Sequence, residues 1–328
     1  MQSPTLPLTI VAVLVPTLLY IRIVHGIDRY EKEPLRYLLA AFLWGAVPAI
    51  ILGLIFENIL AIPVEALLGK GLATEFIETG AIAPTVEEVV KATALVLLYL
   101  WRRQEFDGWV DGIVYGSTVG FGFAFVENIF YIHGTTTWGE WLTLFFIRVI
   151  IFGFMHGFWT SLTGIGLGVA RNSHRPLVQW GAPMLGLLAA ITGHLLHNGS
   201  LVLASSTSGA TLLVAGLNYL ILVVLLLGLG VVAARHDSDV LRTYLRDEVP
   251  DTISDTDYAA LSSMRKNAQA HFLIGPKHQR AFIQLAADLA QKKRQLLRMG
   301  EEGRTGAEID RLREALRGLS SWSGERRA

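Results

Sequence analysis

Three charged side chains within five positions of an otherwise apolar stretch constrain this chain more than any other feature. Glu87, Glu88 and Lys91 lie between the apolar residues 81–83 and the apolar run 94–98. An ionised side chain near the centre of a bilayer costs about 3 kcal/mol on insertion scales, so charges inside a membrane face a partner or a water-filled cavity. The stretch therefore predicts a built polar site on a membrane-spanning helix.

The composition is typical of a polytopic membrane protein with a soluble end. Of the 328 residues, 52% are hydrophobic and 17% are charged, whereas a soluble protein carries about 25% charged residues. Residues 1–234 hold 11 Lys and Arg, and the shorter stretch 235–328 holds 17. The formal net charge of zero gives no reason to expect a nucleic-acid partner. The absence of Cys excludes disulfides, thiolate metal ligands and a cysteine nucleophile.

Apolar runs predict the architecture, which is an all-α polytopic bundle of about seven transmembrane helices. Each run has roughly the 20 residues that a helix needs to cross about 30 Å of hydrocarbon. The predicted spans are 5–23, 37–60, 81–101, 109–132, 141–170, 177–203 and 211–234. We therefore expect a transmembrane domain over residues 1–234, followed by a soluble, mostly helical tail over residues 235–328.

The distribution of basic residues predicts the orientation of these spans. The loops after spans one, three and five, and the start of the tail, hold Arg29, Lys32, Arg102, Arg103, Arg171, Arg175 and Arg235. In the loops on the opposite side, Lys70 is the only Lys or Arg. Because cytoplasmic loops carry an excess of Lys and Arg, we expect the N-terminus outside the cytoplasmic membrane and the tail inside.

Three further predicted spans carry polar side chains within apolar sequence. These are Glu127 with Asn128 in span four, His156 in span five, and His194 with Asn198 in span six. At a rise of 1.5 Å per residue from the outer ends of their spans, Glu87, Glu127 and His194 all lie about 8–14 Å below the outer surface. The common depth predicts one shared site near the outer surface, bounded by lipid.

Several of these residues also have a structural interpretation. A single intramembrane Glu can be a hydrogen-bonded packing group, and a single His is more often packed than ligating; His197 in particular keeps that reading. Glu57 and Asn58 are expected at the interface, and Arg148 is expected to snorkel or to pair with a carboxylate. The glycines at 112, 116 and 120 have the spacing that lets membrane helices pack closely.

The residues resemble those of the PrsW family of intramembrane proteases over roughly residues 20–235. The matching elements are Glu87-Glu88-xx-Lys91, Phe123-xxx-Glu127-Asn128, Phe152-xxx-His156 and His194-xxx-Asn198, with Tyr30-Glu31-Lys32-Glu33-Pro34 and Asp111-Gly112-xx-Tyr115-Gly116 beside them. The pattern is also similar to that of CAAX-type prenyl-protein endopeptidases, which usually have an Arg one position beyond that of Lys91.

The resemblance implies an endopeptidase that cuts a membrane-anchored protein, such as an anti-sigma factor, near the outer leaflet. Glu87 and His156 would activate a water molecule, while His194 and Asn198 would stabilise the oxyanion. Glu88 would be held by Lys91.

Glu127, His156 and His194 would also form a plausible zinc set with Glu87 left as the base, and hydrolysis with or without metal stays open. The competing class is a proton- or ion-coupled transporter, because intramembrane Glu, His and Lys also build proton relays. A non-catalytic scaffold protein is the third functional class. Cleavage that is lost on substitution of Glu87 or His156 would separate the hydrolase from both.

Overall fold

The structure is a computed structural model, and it describes residues 4–27, 33–102, 105–106, 108–262, 277–300 and 305–324. Every regular element in this part of the chain is helical, which confirms the predicted all-α class. The helices are α1 Leu6–His25, α2 Leu35–Trp44, α3 Ile50–Leu68, α4 Leu72–Glu75, α5 Ala83–Trp101, α6 Trp109–His133, α7 Trp138–Leu144, α8 Met155–Arg171, α9 Pro176–Leu203, α10 Leu212–Tyr244, α11 Asp255–Leu261, α12 Lys277–Met299 and α13 Thr305–Gly324.

Three π-helical segments interrupt these helices. They join α2 to α3, α4 to α5, and α7 to the turn before α8, at Gly45–Ala49, Phe76–Ile82 and Phe145–Ile151. Such segments are rare and often lie beside functional sites, because each one widens the helix and redirects the side chains that follow. Two of the three come shortly before helices that carry residues predicted for the site.

Six helical stretches in the described chain are long and apolar enough to cross a membrane, one fewer than the seven predicted spans. They are Leu6–His25, Leu35–Leu68, Trp109–His133, Trp138–Arg171, Pro176–Leu203 and Leu212–Tyr244. The predicted third span, now α5, is 19 residues long, but its three charged side chains set it apart from the others. Nine of its residues are buried, so the bundle surrounds this helix where the charges lie.

The predicted fifth span is not one continuous helix. α7 and its π segment end at Ile151, a turn follows at residues 152–154, and α8 starts at Met155. Gly153 lies in this turn, where a Cβ atom would meet the Val149 carbonyl oxygen at 2.1 Å and the Tyr20 ring at 2.4 Å. His156 is consequently the second residue of a new helix.

α6 contacts α1, α2, α5 and α8, and its glycines set how closely α8 approaches. A Cβ atom on Gly112 would lie 2.1 Å from the Gly164 carbonyl oxygen, and one on Gly120 would lie 2.2 Å from the His156 carbonyl oxygen. The close packing predicted from the glycine spacing is therefore confirmed. The contact also fixes the start of α8 against α6, two turns before Glu127.

The chain divides into two compact units, of which the first holds the described residues up to Leu227 other than Ile27, and the second holds those from Gly228 onward. α10 runs from the first into the second and ends at Tyr244, beyond the predicted boundary at residue 234. The second unit has its own apolar core, in which Leu245, Ile253, Leu289 and Leu316 are fully buried.

Candidate active site

The charged group of α5 forms a compact ion triad in the interior of the bundle. Lys91 Nζ lies 3.1 Å from Glu87 Oε2 and 2.9 Å from Glu88 Oε1, across one turn of the helix. All three residues are buried, and Lys91 has no exposed surface. The ring of Phe123 covers the ammonium, with its centroid 3.9 Å from Nζ. The partner that this stretch needs is thus partly supplied within the same helix.

Glu88 is committed to partners from three helices. Its Oε1 accepts from Lys91 and lies 3.1 Å from His194 Nδ1 on α9, and its Oε2 accepts from Thr160 Oγ1 on α8 at 3.0 Å. A fully buried carboxylate with both oxygens engaged has little freedom to take part in a reaction. Glu88 instead ties α5, α8 and α9 together at one level.

Glu127 and His156 form a second pair that contacts the first. Glu127 Oε2 lies 2.9 Å from His156 Nε2, and Glu127 Oε1 lies 3.1 Å from an Arg148 guanidinium nitrogen. Arg148 also donates to Asn128 Oδ1 at 3.0 Å, so it pairs with a carboxylate as one of its two predicted roles requires. The other imidazole nitrogen, His156 Nδ1, lies 3.3 Å from Lys91 Nζ.

These contacts assign the tautomers of both imidazoles. Lys91 can only donate, so His156 Nδ1 accepts, which leaves the proton on Nε2, 2.9 Å from Glu127 Oε2. At His194, Nδ1 faces the Glu88 carboxylate and therefore donates, which leaves Nε2 with a free lone pair. That lone pair is 3.9 Å from Glu87 Oε2. Trp159 stacks on the His194 ring with centroids 4.1 Å apart and holds it in this orientation.

A cavity of about 400 Å³ borders the triad and is lined by Glu87, Glu127 and Asn198. Glu87 keeps 7% of its surface exposed, whereas Glu88 keeps none. Asn198 lies one turn beyond His194 and donates its amide to the Thr79 carbonyl oxygen at 3.3 Å. The structure therefore places Asn198 in the wall of the cavity, near the imidazole with which it was predicted to act.

Sequence reasoning missed four residues that the structure adds to the site. Thr160 and Trp159 hold Glu88 and His194, while Glu57 and Glu78 line the cavity. Glu57 had been expected at the interface, yet it is a charge inside an apolar helix, which is the same signal that identified Glu127. His197 packs edge-on against Phe152, and its buried Nδ1 has no hydrogen-bond partner among the described residues.

Glu87, His156 and His194 form a candidate metal site, with one donor atom from each within 4.8 Å of the others. Two imidazoles and a carboxylate are a usual zinc set, and the Glu88 bond to His194 Nδ1 is the kind of contact that orients a ligating His. This donor chemistry fits zinc. The predicted set had Glu127 in place of Glu87; here Glu127 contacts His156 and Arg148. Lys91 Nζ approaches Glu87 and His156 Nδ1 itself, so a metal ion would compete with it.

Comparison with known proteins identifies the family. The sequence model described as "PrsW family intramembrane metalloprotease" matches residues 33–229. A relative from Geobacillus kaustophilus named "Protease PrsW" is 36% identical over 106 residues, covering 32% of this chain and 43% of the relative. A relative of that name from Bacillus subtilis is 28% identical over 157 residues, covering 47% and 65%.

A third relative, also named "Protease PrsW", comes from Clostridioides difficile and is 32% identical over 119 residues, covering 36% of this chain and 48% of the relative. The chain thus matches between 43% and 65% of the length of these curated relatives. No solved structure matches it significantly.

Proposed function

The chain belongs to the PrsW family of intramembrane metalloproteases, and from this premise we propose that it is an endopeptidase that hydrolyses a peptide bond of a membrane-anchored protein. The single observation that carries the proposal is the difference between the surroundings of the two adjacent carboxylates. Glu88 is buried with both oxygens engaged, whereas Glu87 accepts a hydrogen bond from Lys91 at Oε2 and opens onto the cavity.

Glu87 is the proposed general base and then the general acid. It takes a proton from a water molecule, whose oxygen bonds to the scissile carbonyl carbon. It returns the proton to the amide nitrogen as the C–N bond breaks, which balances the hydrolysis. Lys91 keeps Glu87 in position throughout, and Glu88 holds Lys91 from the other side.

The oxyanion requires a donor that faces the cavity. His194 was expected in this role beside Asn198, but the lone pair on its Nε2 makes the neutral imidazole an acceptor at that atom. We therefore assign the donor role to the Asn198 amide, which lines the cavity with Glu87. His194 Nε2 is left to accept a hydrogen bond from the attacking water.

Metal binding is an alternative to the roles given to Glu87 and His194 above: if the family's metal is bound, Glu87, His156 and His194 would hold it, and it would supply Lewis-acid polarisation of the scissile carbonyl. The chemistry of these residues suits zinc. Metal content measured on purified protein, together with activity after chelation, tests this part: full activity at negligible metal content contradicts it.

The proposed substrate is a membrane-anchored regulator of the anti-sigma-factor type, cut near the outer leaflet. Comparative membrane proteomics of cells with wild type and with Glu87→Ala should reveal a protein that accumulates uncut only in the variant. Glu65→Ala is the matched control, because Glu65 is an exposed residue on α3 that does not line the cavity. Identical fragment patterns with wild type and a folded Glu87→Ala protein would contradict hydrolysis and favour the transporter.

A further inference from the structure

One face of α3 forms a wall of the cavity beside Glu87. The α3 residues in this wall are Ile50, Gly53, Leu54, Glu57, Asn58 and Ala61, which follow the three- and four-residue spacing of a single helical face. Most of the other side chains of α3, such as Ile51, Ile55 and Ile59, are exposed and apolar. α3 thus presents a carboxylate and an amide toward the cavity and aliphatic groups to its outer surface.

The small residue Gly53 makes room for the carboxylate. A Cβ atom at Gly53 would lie 3.3 Å from Glu57 Oε1, which shows that this oxygen lies back over the preceding turn of the helix. The carboxylate is therefore positioned along the cavity wall, and its side chain is half-buried. A charged side chain held this way on a helix with an apolar outer face is costly unless it serves a partner.

The cavity has more negative charge than its surroundings neutralise. Four carboxylates line it, from Glu57, Glu78, Glu87 and Glu127, and none of the lining residues is Lys, Arg or His. Lys91 is shared by Glu87 and Glu88 and offsets one of the two carboxylates, and Arg148 pairs with Glu127. No described residue forms an ion pair with Glu57 or Glu78, so these two carboxylates add to the excess.

Glu78 supplies an observation that does not depend on α3. Its Oε1 is shielded from solvent and has no hydrogen-bond partner among the described residues. Buried polar atoms are nearly always bonded to protein or water, so this carboxylate oxygen at the cavity wall is available to a donor that enters the cavity. Glu78 lies on the π segment before α5, whereas Glu57 lies on α3, so two separate elements supply the unpaired carboxylates.

A second cavity of about 330 Å³ has a different charge. It shares Thr79, Glu127, Tyr131 and Asn198 with the first, and its other charged lining residues are Glu75 and Arg148. Two carboxylates and one guanidinium thus line it, against four carboxylates and no Lys or Arg in the first. A guanidinium in the wall repels another cation. Glu127 and Asn198 border both cavities, so the acidic cavity and the cavity that holds Arg148 adjoin at these residues.

We propose that the acidic cavity binds a Lys or Arg side chain of the substrate, held by Glu57 and Glu78, next to the bond that is cut. The protein would then select membrane segments that carry a basic residue on one side of the cleavage position only. Cleavage next to that residue rests on the proposed hydrolytic function, whereas binding of the basic side chain in the acidic cavity does not.

The test uses single-span peptides in nanodiscs with the full-length protein. One Lys, Met or Glu is moved in single steps through the outer third of an otherwise Ala-Leu span, with binding followed by fluorescence quenching and cleavage by mass spectrometry. We expect the best Lys peptide to bind, and to be cut, about ten-fold better than its Met counterpart, as a charge-assisted contact provides. Glu57→Gln should reduce this ratio to about two-fold, and Glu57→Lys should favour the Glu peptide.

Glu65→Gln, an exposed change on the same helix, is the matched control and should leave every ratio as in wild type. Equal binding of Lys and Met peptides to the wild type overturns the proposal, and so does a Lys preference that survives in the folded Glu57→Gln, Glu78→Gln double variant. Lys-dependent binding with no cleavage of any peptide supports the cavity assignment and contradicts the proposed hydrolysis instead.

Discussion

At the scale of single residues, the site is an interlocked set of charges in which each group has its own surroundings. Glu87 and Glu88 are neighbours in sequence, yet one borders a cavity and the other is enclosed by Lys91, Thr160 and His194. Directions that differ by about 100° on the helix suffice to produce this contrast. Chemical identity alone therefore does not determine what each carboxylate does.

Thr160→Val should lower both stability and activity, because the isosteric change leaves Glu88 Oε2 without its donor. We expect a loss of about 1–3 kcal/mol in unfolding free energy and a fall in cleavage of about ten-fold. Thr163→Val is the matched control, since Thr163 Oγ1 is buried on the same helix without a hydrogen-bond partner in the described structure. Thermal unfolding in detergent and initial cleavage rates provide the measurements; equal effects at both positions would contradict the role of Thr160.

At the scale of helices, the site depends on how closely α6 and α8 approach. The two backbones meet at Gly112 with Gly164, and again at Gly120 with the carbonyl of His156. In lipid, where apolar side chains gain nothing by leaving water, such close packing is a main source of helix association. The glycines therefore act on the site from a distance, by setting the position of the helix that carries His156.

Gly112→Ala should destabilise the bundle by at least about 2 kcal/mol, because its methyl group would meet backbone that cannot rotate away. Gly181→Ala on α9 is the comparison, since a Cβ atom there would meet nothing within 4 Å and alanine favours the helix. Unfolding midpoints of both purified variants should move in opposite directions. Similar shifts for the two would show that helix propensity, and not the α6–α8 contact, dominates.

At the scale of the whole molecule, the second unit has an ion cluster of its own. Glu248 is 4% exposed by side chain and contacts Lys293 at 2.7 Å and Arg313 at 2.8 Å, which joins the 3₁₀ turn Arg246–Glu248 to α12 and α13. Burial raises the pKa of Glu248, but the hydrogen bonds from Arg313 and Lys293 outweigh it and lower the pKa to about 2.

Because this folded-state pKa lies below the ordinary value of 4.5, the cluster stabilises the unit above that pH. The contribution, roughly 3 kcal/mol, should be lost as the pH falls from about 4.5 toward 2. Hydrogen exchange of α12 in the full chain, corrected for intrinsic rates, should show this loss, and Glu248→Gln should show it already at pH 7. Asp310→Asn removes an exposed partner of the same Arg313 and should change little.

The charge asymmetry of the loops predicts the orientation of the whole chain, with the N-terminus outside and the second unit in the cytoplasm. Alkaline phosphatase fused within the loop between α9 and α10 should be active, and the same enzyme fused after residue 328 should be inactive. Green fluorescent protein at the same points should give the opposite pattern. Phosphatase activity at the C-terminus would invert the assignment and place the proposed site at the inner leaflet.

The sequence was sufficient to predict the helical class and to single out the polar residues of α5, α6, α8 and α9 as candidates for one shared site. Charge inside apolar sequence is a strong local signal. It did not predict the turn at residues 152–154, since that turn depends on Gly153 packing against Tyr20 from another helix. The place of Glu57 in the cavity and the link from Lys91 to His156 were missed for the same reason. Each is a contact between helices that no spacing within one helix encodes.

The contact between Gly112 and Gly164 has a genetic consequence. A side chain added at either position would strike the carbonyl oxygen of the other, at 2.1 Å and 2.0 Å, and both positions are already glycine. Nothing at the facing position can be made smaller to compensate. A loss of function caused at Gly112 or Gly164 should therefore have no local second-site suppressor, so that revertants restore the glycine itself.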